Sequence, residues 1–335
     1  MKLLITGASG FLGQYVVAEA LRRGHHVRAG VRSVGRSPLP WQSHPALELA
    51  QVDLLQRETL PDAVQGVDAV IHLAATLQGD FQAQYAGTVT ATENLLSAMQ
   101  DAGVSRLIAI SSFSVFDYLN LPDGATIQED SPLEKNPAQR DAYTQTKLIQ
   151  EATVRRFGQT GQVTILRPGM IYGRDHLWNA HLGINAGDRL WLQIGANSQM
   201  PLTYVENCAA AIVLAAEQDG AIGQTLNIVD SDLPTQSAFI QALVRQSQAA
   251  PWVMSLHWGL LLGLAQPLAQ INQLLFQGKL KIPGLLVPAR LHARFKPLRY
   301  SNTHAQEVLH WQPQYSFTAA IDRSYRDADL LAVSS

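Results

Sequence analysis

The sequence predicts an α/β protein built on a doubly wound parallel sheet. Apolar runs of strand length alternate with segments of helical period through the first half of the chain. That spacing implies a parallel sheet covered by helices on both faces, with right-handed crossovers. A glycine-rich turn joins the first strand to the first helix. Ligands bind beyond the carboxyl ends of the strands in such a sheet, so functional residues are expected there.

Strand and helix patterns alternate as far as residue 173 and become less regular after it. In the first part, strands are predicted at 3–5, 26–31, 47–52, 68–73, 104–112 and 163–166, and helices at 11–23, 57–64, 81–102 and 141–157. In the second part, strands are predicted at 190–194, 202–205 and 226–229, and helices at 206–218, 236–248, 252–276 and 317–330. We therefore predict one domain at 1–173 and a smaller mixed α/β region at 174–335, some of whose elements return to the first domain.

The composition allows a large core and excludes several kinds of partner. Of the 335 residues, 47% are hydrophobic and 16% are charged, and the net charge of −2 predicts no nucleic-acid binding by the molecule. The one cysteine, Cys208, excludes a disulfide framework, and neither cysteine nor histidine shows the spacing of a metal site. No signal-peptide core follows Lys2, and no apolar run reaches the ~20 residues of a membrane span. We expect a cytoplasmic protein.

The stretch from Met1 to Gly13 carries the motif around which the prediction is organised. An apolar run ends at Thr6, and glycines then follow at three-residue steps before the first helix. Gly7 allows the tight turn, Gly10 leaves room for a diphosphate, and Gly13 lets the helix pack closely on the strand. Backbone N–H groups at the start of a helix bind anions. We therefore predict a dinucleotide-binding, Rossmann-type first domain, with cofactor contacts from Gly7, Ser9, Gly10, Phe11, Leu12 and Gly13.

A tyrosine and a lysine stand one turn apart on the predicted helix 141–157. Tyr143 and Lys147 occupy positions i and i+4, which places their side chains one above the other. A free phenol has a pKa near ~10 and is a poor acid or base at neutral pH. An ammonium group and a cationic nicotinamide nearby favour the phenolate, so we expect the pKa of Tyr143 to be lowered. The alternative is a surface helix that carries both residues by chance.

Several stretches of the chain form one pattern: Thr6 to Gly13, His72 to Ala75, Ser111 and Ser112 before Val115, Tyr143 with Lys147, Leu166 to Gly173, and Tyr204 to Asn207. Together they resemble the extended short-chain dehydrogenase/reductases, over nearly the whole chain. The resemblance implies that Ser112 hydrogen-bonds the substrate oxygen, that Tyr143 transfers a proton, and that Lys147 tunes Tyr143 and holds the nicotinamide ribose. Ser111 is the alternative for the serine role.

The same resemblance implies further contacts with cofactor and substrate. The nicotinamide end is lined by Pro168, Gly169 and Ile171, and the adenine is flanked by Asp53 and Leu54. We also predict cofactor contacts at the end of the fourth strand, from Leu73, Ala74 and Ala75. The predicted substrate-binding residues are Thr76, Phe113, Ser114 and Met170. His72 is expected to hydrogen-bond the backbone rather than to react.

Some positions depart from the family pattern. Thr88 stands where the family often has an asparagine, which weakens the prediction of a proton relay through that asparagine. Phe116 and Asp117 stand where a tyrosine and a glycine are usual, which removes a hydroxyl group beside the substrate and weakens the case for a sugar-nucleotide epimerase. Asn207 replaces a usual aspartate, and we expect a local structural effect.

The end of the second strand predicts the cofactor. Enzymes that use NAD place a carboxylate there on the ribose 2′-hydroxyl, whereas NADP enzymes supply a cation. This chain has Arg32 at that position, Arg36 just beyond it, and no acidic residue between Glu19 and Glu48. A planar guanidinium suits a 2′-phosphate. We predict NADP(H), with NAD(H) as the alternative, although a solvated surface arginine would give the same pattern.

The stretch 252–299 combines apolar and basic residues. The chain has no acidic residue between Asp232 and Glu307, whereas the basic residues there are Arg245, Lys279, Lys281, Arg290, Arg294, Lys296 and Arg299. Three interpretations are open: a lid on the substrate region, which is favoured, an amphipathic patch on an anionic membrane surface, and a pocket for an apolar substrate with an anionic group. The layout resembles the 3β-hydroxysteroid dehydrogenase-like branch, which does not by itself name a steroid.

These observations predict an NADP(H)-dependent oxidoreductase that acts on a ketone, an aldehyde or a secondary alcohol of apolar or mixed character. Two alternatives are open. A sugar-nucleotide epimerase or dehydratase would use a transient redox step, and a non-catalytic NADP(H)-binding sensor would need none of Ser112, Tyr143 and Lys147. The resemblance is compatible with a homodimer through the 81–102 and 141–157 helices, with a monomer as the alternative.

Overall fold

The computed structural model describes residues 1–33, 41, 43–179, 181–187, 189–195, 197–246, 251–277, 283–326 and 328–333. The strands are β1 (Lys2–Thr6), β2 (His26–Val31), β3 (Leu47–Gln51), β4 (Ala69–His72), β5 (Arg106–Ile110), β6 (Thr126–Ile127), β7 (Gln162–Pro168), β8 (Met170–Tyr172), β9 (Gly183–Asn185), β10 (Leu190–Ile194), β11 (Leu202–Tyr204), β12 (Thr225–Ile228), β13 (Trp252–Leu256) and β14 (Arg299–Tyr300). The helices are α1 (Phe11–Arg22), α2 (Leu60–Val64), α3 (Phe81–Tyr85), α4 (Ala91–Asp101), α5 (Ala142–Phe157), α6 (Val205–Glu217), α7 (Gln236–Gln246), α8 (Trp258–Phe276), α9 (Pro288–Phe295), α10 (Thr303–Leu309), α11 (Phe317–Tyr325) and α12 (Leu330–Val333).

The central sheet confirms the predicted doubly wound architecture. Within the described residues its strands lie in the order β12-β7-β5-β4-β1-β2-β3, and all neighbouring pairs are parallel. The chain moves outward from β1 to β2 and β3 and then crosses back to β4 on the other side of β1. This reversal opens a crevice beyond the carboxyl ends of β1 and β4, where a sheet of this kind binds its ligand.

The second half of the chain completes the central sheet. The strand β12 pairs with β7 and brings Leu226 opposite Leu166. The helix α6 packs against α1, and its residues Ala211 and Ile212 are fully buried in the same hydrophobic core as Val16. The two predicted regions therefore share one core.

The structure corrects two of the predicted helices. The first residues of the predicted helix 252–276 form β13, which pairs in parallel with β10, and α8 begins only at Trp258. The predicted helix 317–330 ends at Tyr325, and Asp329, just before α12, turns inward. Its carboxylate accepts hydrogen bonds of 2.6 Å from the Tyr15 hydroxyl and 2.8 Å from Arg174 Nε. In both places the residues that depart from the predicted helix contact residues that are distant in the sequence.

The glycine turn after β1 is built as the sequence predicts. Gly7 has a φ of +71°, a backbone conformation that L-residues rarely adopt. A Cβ atom on Gly13 would lie 2.1 Å from the carbonyl oxygen of Gly7, so helix and turn could not approach as closely. The N–H of Gln14 donates to the Gly10 carbonyl at 3.0 Å, so the N–H groups that precede it point out of the helix end.

His72, at the end of β4, has a structural role. Its Nδ1 lies 2.7 Å from Thr6 Oγ1 on β1, and its Nε2 lies 2.9 Å from Thr92 Oγ1 on α4. The sequence predicted backbone partners, and the partners are hydroxyl groups instead. Burial, with a smaller effect from Lys147, lowers the pKa of His72 to about 3. The neutral ring therefore ties two strands to α4.

Substitution of Gly13 by alanine should destabilise the protein by about 1–3 kcal/mol, because the new methyl group meets backbone atoms that cannot move independently. The matched control is Gly263→Ala in α8, where no atom lies within 4 Å of the added Cβ. That change should stabilise the protein by about 0.5–1 kcal/mol. The free energy of unfolding from denaturant titration measures both. Wild-type stability in Gly13→Ala would contradict the packing described for the turn.

The buried neutral His72 should make stability depend on pH. The unfolded chain protonates this histidine near its ordinary pKa of ~6.5, whereas the folded protein does so only near 3. Because the unfolded state binds the extra proton between these values, stability falls as the pH falls, by about 1.4 kcal/mol per unit. In His72→Gln, denaturant titrations should give a shallower slope by about that amount. His26→Gln, which changes an exposed histidine, should keep the wild-type slope. If the unfolding free energy of both variants depended on pH with the same slope, His72 would not be the source of the pH dependence.

Candidate active site

The predicted catalytic side chains come together at the carboxyl edge of the sheet. Ser112 follows β5, and Tyr143 and Lys147 lie one turn apart near the start of α5. Asp141 fixes that start, because its carboxylate accepts a 2.8 Å hydrogen bond from the N–H of Thr144. The Ser112 hydroxyl lies close enough to the Tyr143 phenol to lower its pKa, and Lys147 Nζ lies 6.0 Å from the centre of the Tyr143 ring. The three groups therefore form one site.

The Tyr143 side chain is half-buried, and its surroundings set its acidity in the protein alone. Burial raises the pKa of Tyr143, the Ser112 hydroxyl lowers it, and the Asp141 carboxylate raises it further. In the protein alone the pKa of this phenol is therefore raised, and the expected lowering, which includes the charge of a bound nicotinamide, stays a prediction. The hydrogen bonds of Lys147 are made to other groups, so the ammonium acts on the phenol only across a distance.

Lys147 is buried and held by two acceptors. Its Nζ donates to the Ile110 carbonyl at 2.8 Å and to Gln150 Oε1 at 2.9 Å. Burial lowers the pKa of Lys147 to about 8, and the nearby Glu151 carboxylate opposes this shift. The amine therefore stays mostly protonated at neutral pH. An ammonium group has three donors, and the described residues accept two of them here, so one N–H can serve a ligand.

A buried chain of polar groups extends behind Lys147. Gln150 Nε2 donates to Thr92 Oγ1 at 2.9 Å, and the same hydroxyl lies 2.9 Å from His72 Nε2. The sequence analysis missed Gln150 and Thr92. The signal for Gln150 was present, because it stands three residues after Lys147 and shares its face of α5. Thr92 lies on a different element, so nothing local could place it there.

The two candidate serines have different partners. Ser111 Oγ donates a 2.6 Å hydrogen bond to Glu151 Oε2, and the other oxygen of Glu151 accepts one of 2.6 Å from Arg167. Ser112 Oγ accepts a 3.1 Å hydrogen bond from the N–H of Ser114, so its proton points to the side of the Tyr143 phenol and is not held by a carboxylate. The geometry therefore favours Ser112 over Ser111 as the serine that polarises a substrate.

The turn after β1 fits the diphosphate of a dinucleotide. Ser9 and Gly10 are exposed just before the N-terminus of α1. The first N–H groups of this helix, including those of Phe11 and Leu12, point outward. A Cβ on Gly7 would lie 2.9 Å from the N–H nitrogen of Ala74, so the turn closely approaches the segment Leu73, Ala74 and Ala75, which is half-buried. The ring of His176, which the sequence analysis missed, lies 4.0 Å from the ring of Phe11.

The residues predicted at the adenosine end lie beyond β2 and β3. Arg32 is exposed directly after β2, and Arg36 lies outside the described residues. Asp53 Oδ1 accepts a 3.0 Å hydrogen bond from the N–H of Leu55, so this carboxylate caps its own turn. The Leu54 carbonyl accepts a 2.9 Å bond from Asn94 Nδ2, which fixes the loop against α4.

The residues predicted at the nicotinamide end lie where β7 ends and β8 begins. Pro168 is buried, whereas Gly169, Met170 and Ile171 are half-buried. A Cβ on Gly169 would lie 2.2 Å from the Pro201 carbonyl oxygen, so only glycine fits there. The chain is tied at this point by a 2.6 Å hydrogen bond from the N–H of Met170 to the same carbonyl.

The predicted substrate residues differ in their surroundings. Thr76 and Ser114 are half-buried, and the Ser114 hydroxyl has no hydrogen-bond partner among the described residues. The ring of Phe113 is only 4% exposed and packs 5.4 Å from Phe116 and 5.8 Å from Tyr300. The prediction that the Phe113 side chain faces the substrate is therefore not supported, because the ring belongs to the core.

The departures from the family pattern have structural explanations. Thr88 is buried in a π-helical turn, Ala86–Thr90, between α3 and α4, and its hydroxyl accepts a 3.1 Å hydrogen bond from the N–H of Thr76. Phe116 and Asp117 are both buried, and Asp117 Oδ2 accepts a 2.8 Å bond from Asn120. Asn207 Nδ2 donates to Asp230 at 2.9 Å, which is a local structural contact.

No group of histidine, cysteine, aspartate or glutamate residues in the described part of the chain is arranged to hold a metal ion. None of the helices in the same part combines the length and the apolar character needed to cross a membrane.

Comparisons with known proteins extend the argument. Residues 3–229 match the model of the NAD dependent epimerase/dehydratase family. A 3 beta-hydroxysteroid dehydrogenase/Delta 5→4-isomerase of Mycobacterium tuberculosis is 31% identical over 257 residues, which is 69% of this chain but only 65% of that protein, just under two thirds of its length. A sterol-4-alpha-carboxylate 3-dehydrogenase of Mus musculus is 26% identical over 340 residues, which is 96% of this chain and 90% of that one.

A solved structure confirms the fold. A short-chain dehydrogenase/reductase superfamily protein from Agrobacterium tumefaciens, with bound NAD, superposes with a TM-score of 0.71 at 20% identity and covers 100% of this chain and 97% of that one. The family model covers most of the chain, and the site motifs and relatives agree with it. The chain therefore belongs to the NAD dependent epimerase/dehydratase family, as an extended short-chain dehydrogenase/reductase of the 3β-hydroxysteroid dehydrogenase-like branch.

Proposed function

We propose that this protein is an NADP(H)-dependent oxidoreductase that interconverts a secondary alcohol and a ketone, or reduces an aldehyde, on an apolar or mixed small molecule. The observation that carries this proposal is the convergence of Ser112, Tyr143 and Lys147 in one half-buried site at the carboxyl edge of the sheet. A binding module without catalysis would need none of these three groups.

In the reducing direction, Tyr143 donates its phenolic proton to the substrate oxygen, which Ser112 polarises by donating a hydrogen bond. Burial keeps the pKa of the phenol raised, so the proton is present at neutral pH. The charged Lys147 stabilises the phenolate that remains, and its third N–H is available to the ribose hydroxyls. The cofactor supplies or accepts the hydride at C4 of its nicotinamide. In the oxidising direction Tyr143 accepts the proton.

Two observations support an apolar substrate. The similar proteins named above act, by their names, on sterols that carry a hydroxyl group on a large apolar ring system. The positions occupied by Phe116 and Asp117 lack the hydroxyl group that a sugar epimerase of the family would present, and both side chains are buried. A sugar-nucleotide epimerase with transient hydride transfer is the second candidate, since structures of this fold include such enzymes.

The proposed activity is tested with a panel of ketones, aldehydes, apolar cyclic ketones and sugar nucleotides, scored by NADPH absorbance. We expect net NADPH consumption with at least one carbonyl compound. With that substrate, Tyr143→Phe should lower kcat by about 10²–10⁴-fold, because the proton donor is lost. Binding of NADPH should stay within about threefold, because the phenol is not its main anchor.

The matched control for this prediction is Tyr325→Phe, which changes a 42%-exposed tyrosine on α11 and should leave kcat unchanged. Near-normal turnover by Tyr143→Phe would refute the proton-transfer role. Interconversion of a sugar nucleotide without net NADPH consumption would favour the epimerase instead.

The proposed preference for NADP(H) rests on Arg32, which is exposed directly after β2. This is the position at which enzymes that use NAD carry a carboxylate. Arg32→Asp should weaken the binding of NADPH by about tenfold or more and the binding of NADH much less. The reason is that the change puts an anion in place of a cation beside the 2′-phosphate. Binding titrations with both cofactors measure the effect. Arg245→Asp, which changes an exposed arginine on α7, is the charge-matched control. An equal loss for both cofactors in Arg32→Asp would count against the assignment.

A further inference from the structure

The chain of buried polar groups that begins at Gln150 has hydrogen-bond directions that its own atoms determine. The Thr92 hydroxyl lies 2.6 Å from the Thr88 carbonyl and donates its single proton to it, because a carbonyl cannot donate. Gln150 Nε2 and His72 Nε2 each lie 2.9 Å from the same hydroxyl oxygen, so both must donate to it. The proton of the neutral His72 ring is therefore on Nε2, and Nδ1 accepts from the Thr6 hydroxyl at 2.7 Å.

These directions fix the orientation of the Gln150 side chain. A flipped amide would place its oxygen against the Thr92 oxygen, which has no proton left to donate. The amide nitrogen therefore faces Thr92, and the amide oxygen faces Lys147, from which it accepts a hydrogen bond of 2.9 Å. Because Gln150 is only 3% exposed, bulk water does not compete for this oxygen. Lys147 thus meets an acceptor that is already oriented.

The acceptors of Lys147 carry no charge. Ile110 contributes a carbonyl at 2.8 Å and Gln150 an amide oxygen, and in the described part of the chain no carboxylate forms an ion pair with Lys147. Glu151 directly follows Gln150, but its carboxylate pairs with Arg167 at 2.6 Å. The positive charge of the amine is therefore held in place without being paired.

An unpaired charge matters because Lys147 acts on Tyr143 at a distance. Its Nζ lies 6.0 Å from the centre of the Tyr143 ring. A carboxylate at hydrogen-bonding distance from the ammonium would cancel most of its field at the phenol, whereas an amide does not. The other titratable groups that act on or face Lys147 are Glu151 on the same helix and His72 on β4, which burial keeps neutral.

We propose that Gln150 is a positioning residue of the reaction, which anchors the Lys147 ammonium with a neutral acceptor and so leaves the full positive charge to act on the Tyr143 phenol. Gln150 acts through Lys147, and its bond to Thr92 keeps the amide in the required orientation. The inference rests on the proposed function, because it assigns a part in that reaction to a further residue.

The test compares two substitutions of Gln150 in the full-length protein without cofactor. In Gln150→Met the side chain keeps its length, but its sulfur is a weak acceptor, so the pKa of Lys147 should fall by about one unit or more. In Gln150→Glu a carboxylate stands beside the ammonium, so the pKa of Lys147 should rise by about the same amount. The ¹³Cε chemical shift of the lysine, followed by NMR against pH, measures both changes, and Lys147→Met assigns the signal.

Turnover gives a second measurement with any substrate that the panel identifies. The fall of kcat at alkaline pH should move to lower pH in Gln150→Met, by the same amount as the pKa of Lys147, because the charged amine is needed. In Gln150→Glu the amine stays charged, but kcat at neutral pH should still fall by about tenfold or more, because the added carboxylate opposes formation of the phenolate.

The matched control is Gln193→Met on β10, which changes a glutamine that is also 3% exposed but belongs to a different sheet. It should leave both the pKa of Lys147 and kcat unchanged. A role of Gln150 in packing alone would give shifts of the same sign in its two variants, or none, and either result would overturn the proposal. The NMR titration needs no substrate, so opposite shifts without any turnover would refute the proposed function and not the anchoring by Gln150.

Discussion

The candidate site depends on one buried ammonium group. Lys147 Nζ is held to the end of β5 by the Ile110 carbonyl and to its own helix by Gln150. Burial of a charged amine costs free energy unless its donors are satisfied, and the lowering of its pKa to about 8 reflects that cost. Because this amine joins α5 to β5, it also fixes Tyr143, one turn earlier, relative to Ser112 beyond β5.

A second buried network holds the same face of α5 one turn further along. Glu151 accepts hydrogen bonds from Ser111 after β5 and from Arg167 on β7, both at 2.6 Å. A buried ion pair of this kind contributes little net stability, but loss of one partner leaves an uncompensated charge. We interpret it as a device that sets the position of the helix. Together with the chain from Lys147 through Gln150 and Thr92 to His72, it connects β1, β4, β5 and β7 at their carboxyl ends.

Features that depend on local sequence could be predicted, and features that depend on distant contacts could not. The glycine turn and the Tyr143–Lys147 spacing follow from short-range geometry, and the structure has both as expected. Strand β13 and the break at Asp329 escaped prediction because their partners lie far away in the sequence. The raised pKa of Tyr143 in the protein alone could not be predicted for a related reason, since the burial of the phenol arises only after β5 and α5 have packed.

The central claim is that the Tyr143 phenol keeps its proton in the protein alone and loses it readily only when positive charge is added beside it. The most direct measurement is the near-ultraviolet difference absorbance of tyrosinate during titration with NADP⁺ near neutral pH. The account predicts a phenolate signal with NADP⁺ that is absent with NADPH and absent in Tyr143→Phe. A signal of equal size in Tyr143→Phe, or no signal with saturating NADP⁺, would contradict it.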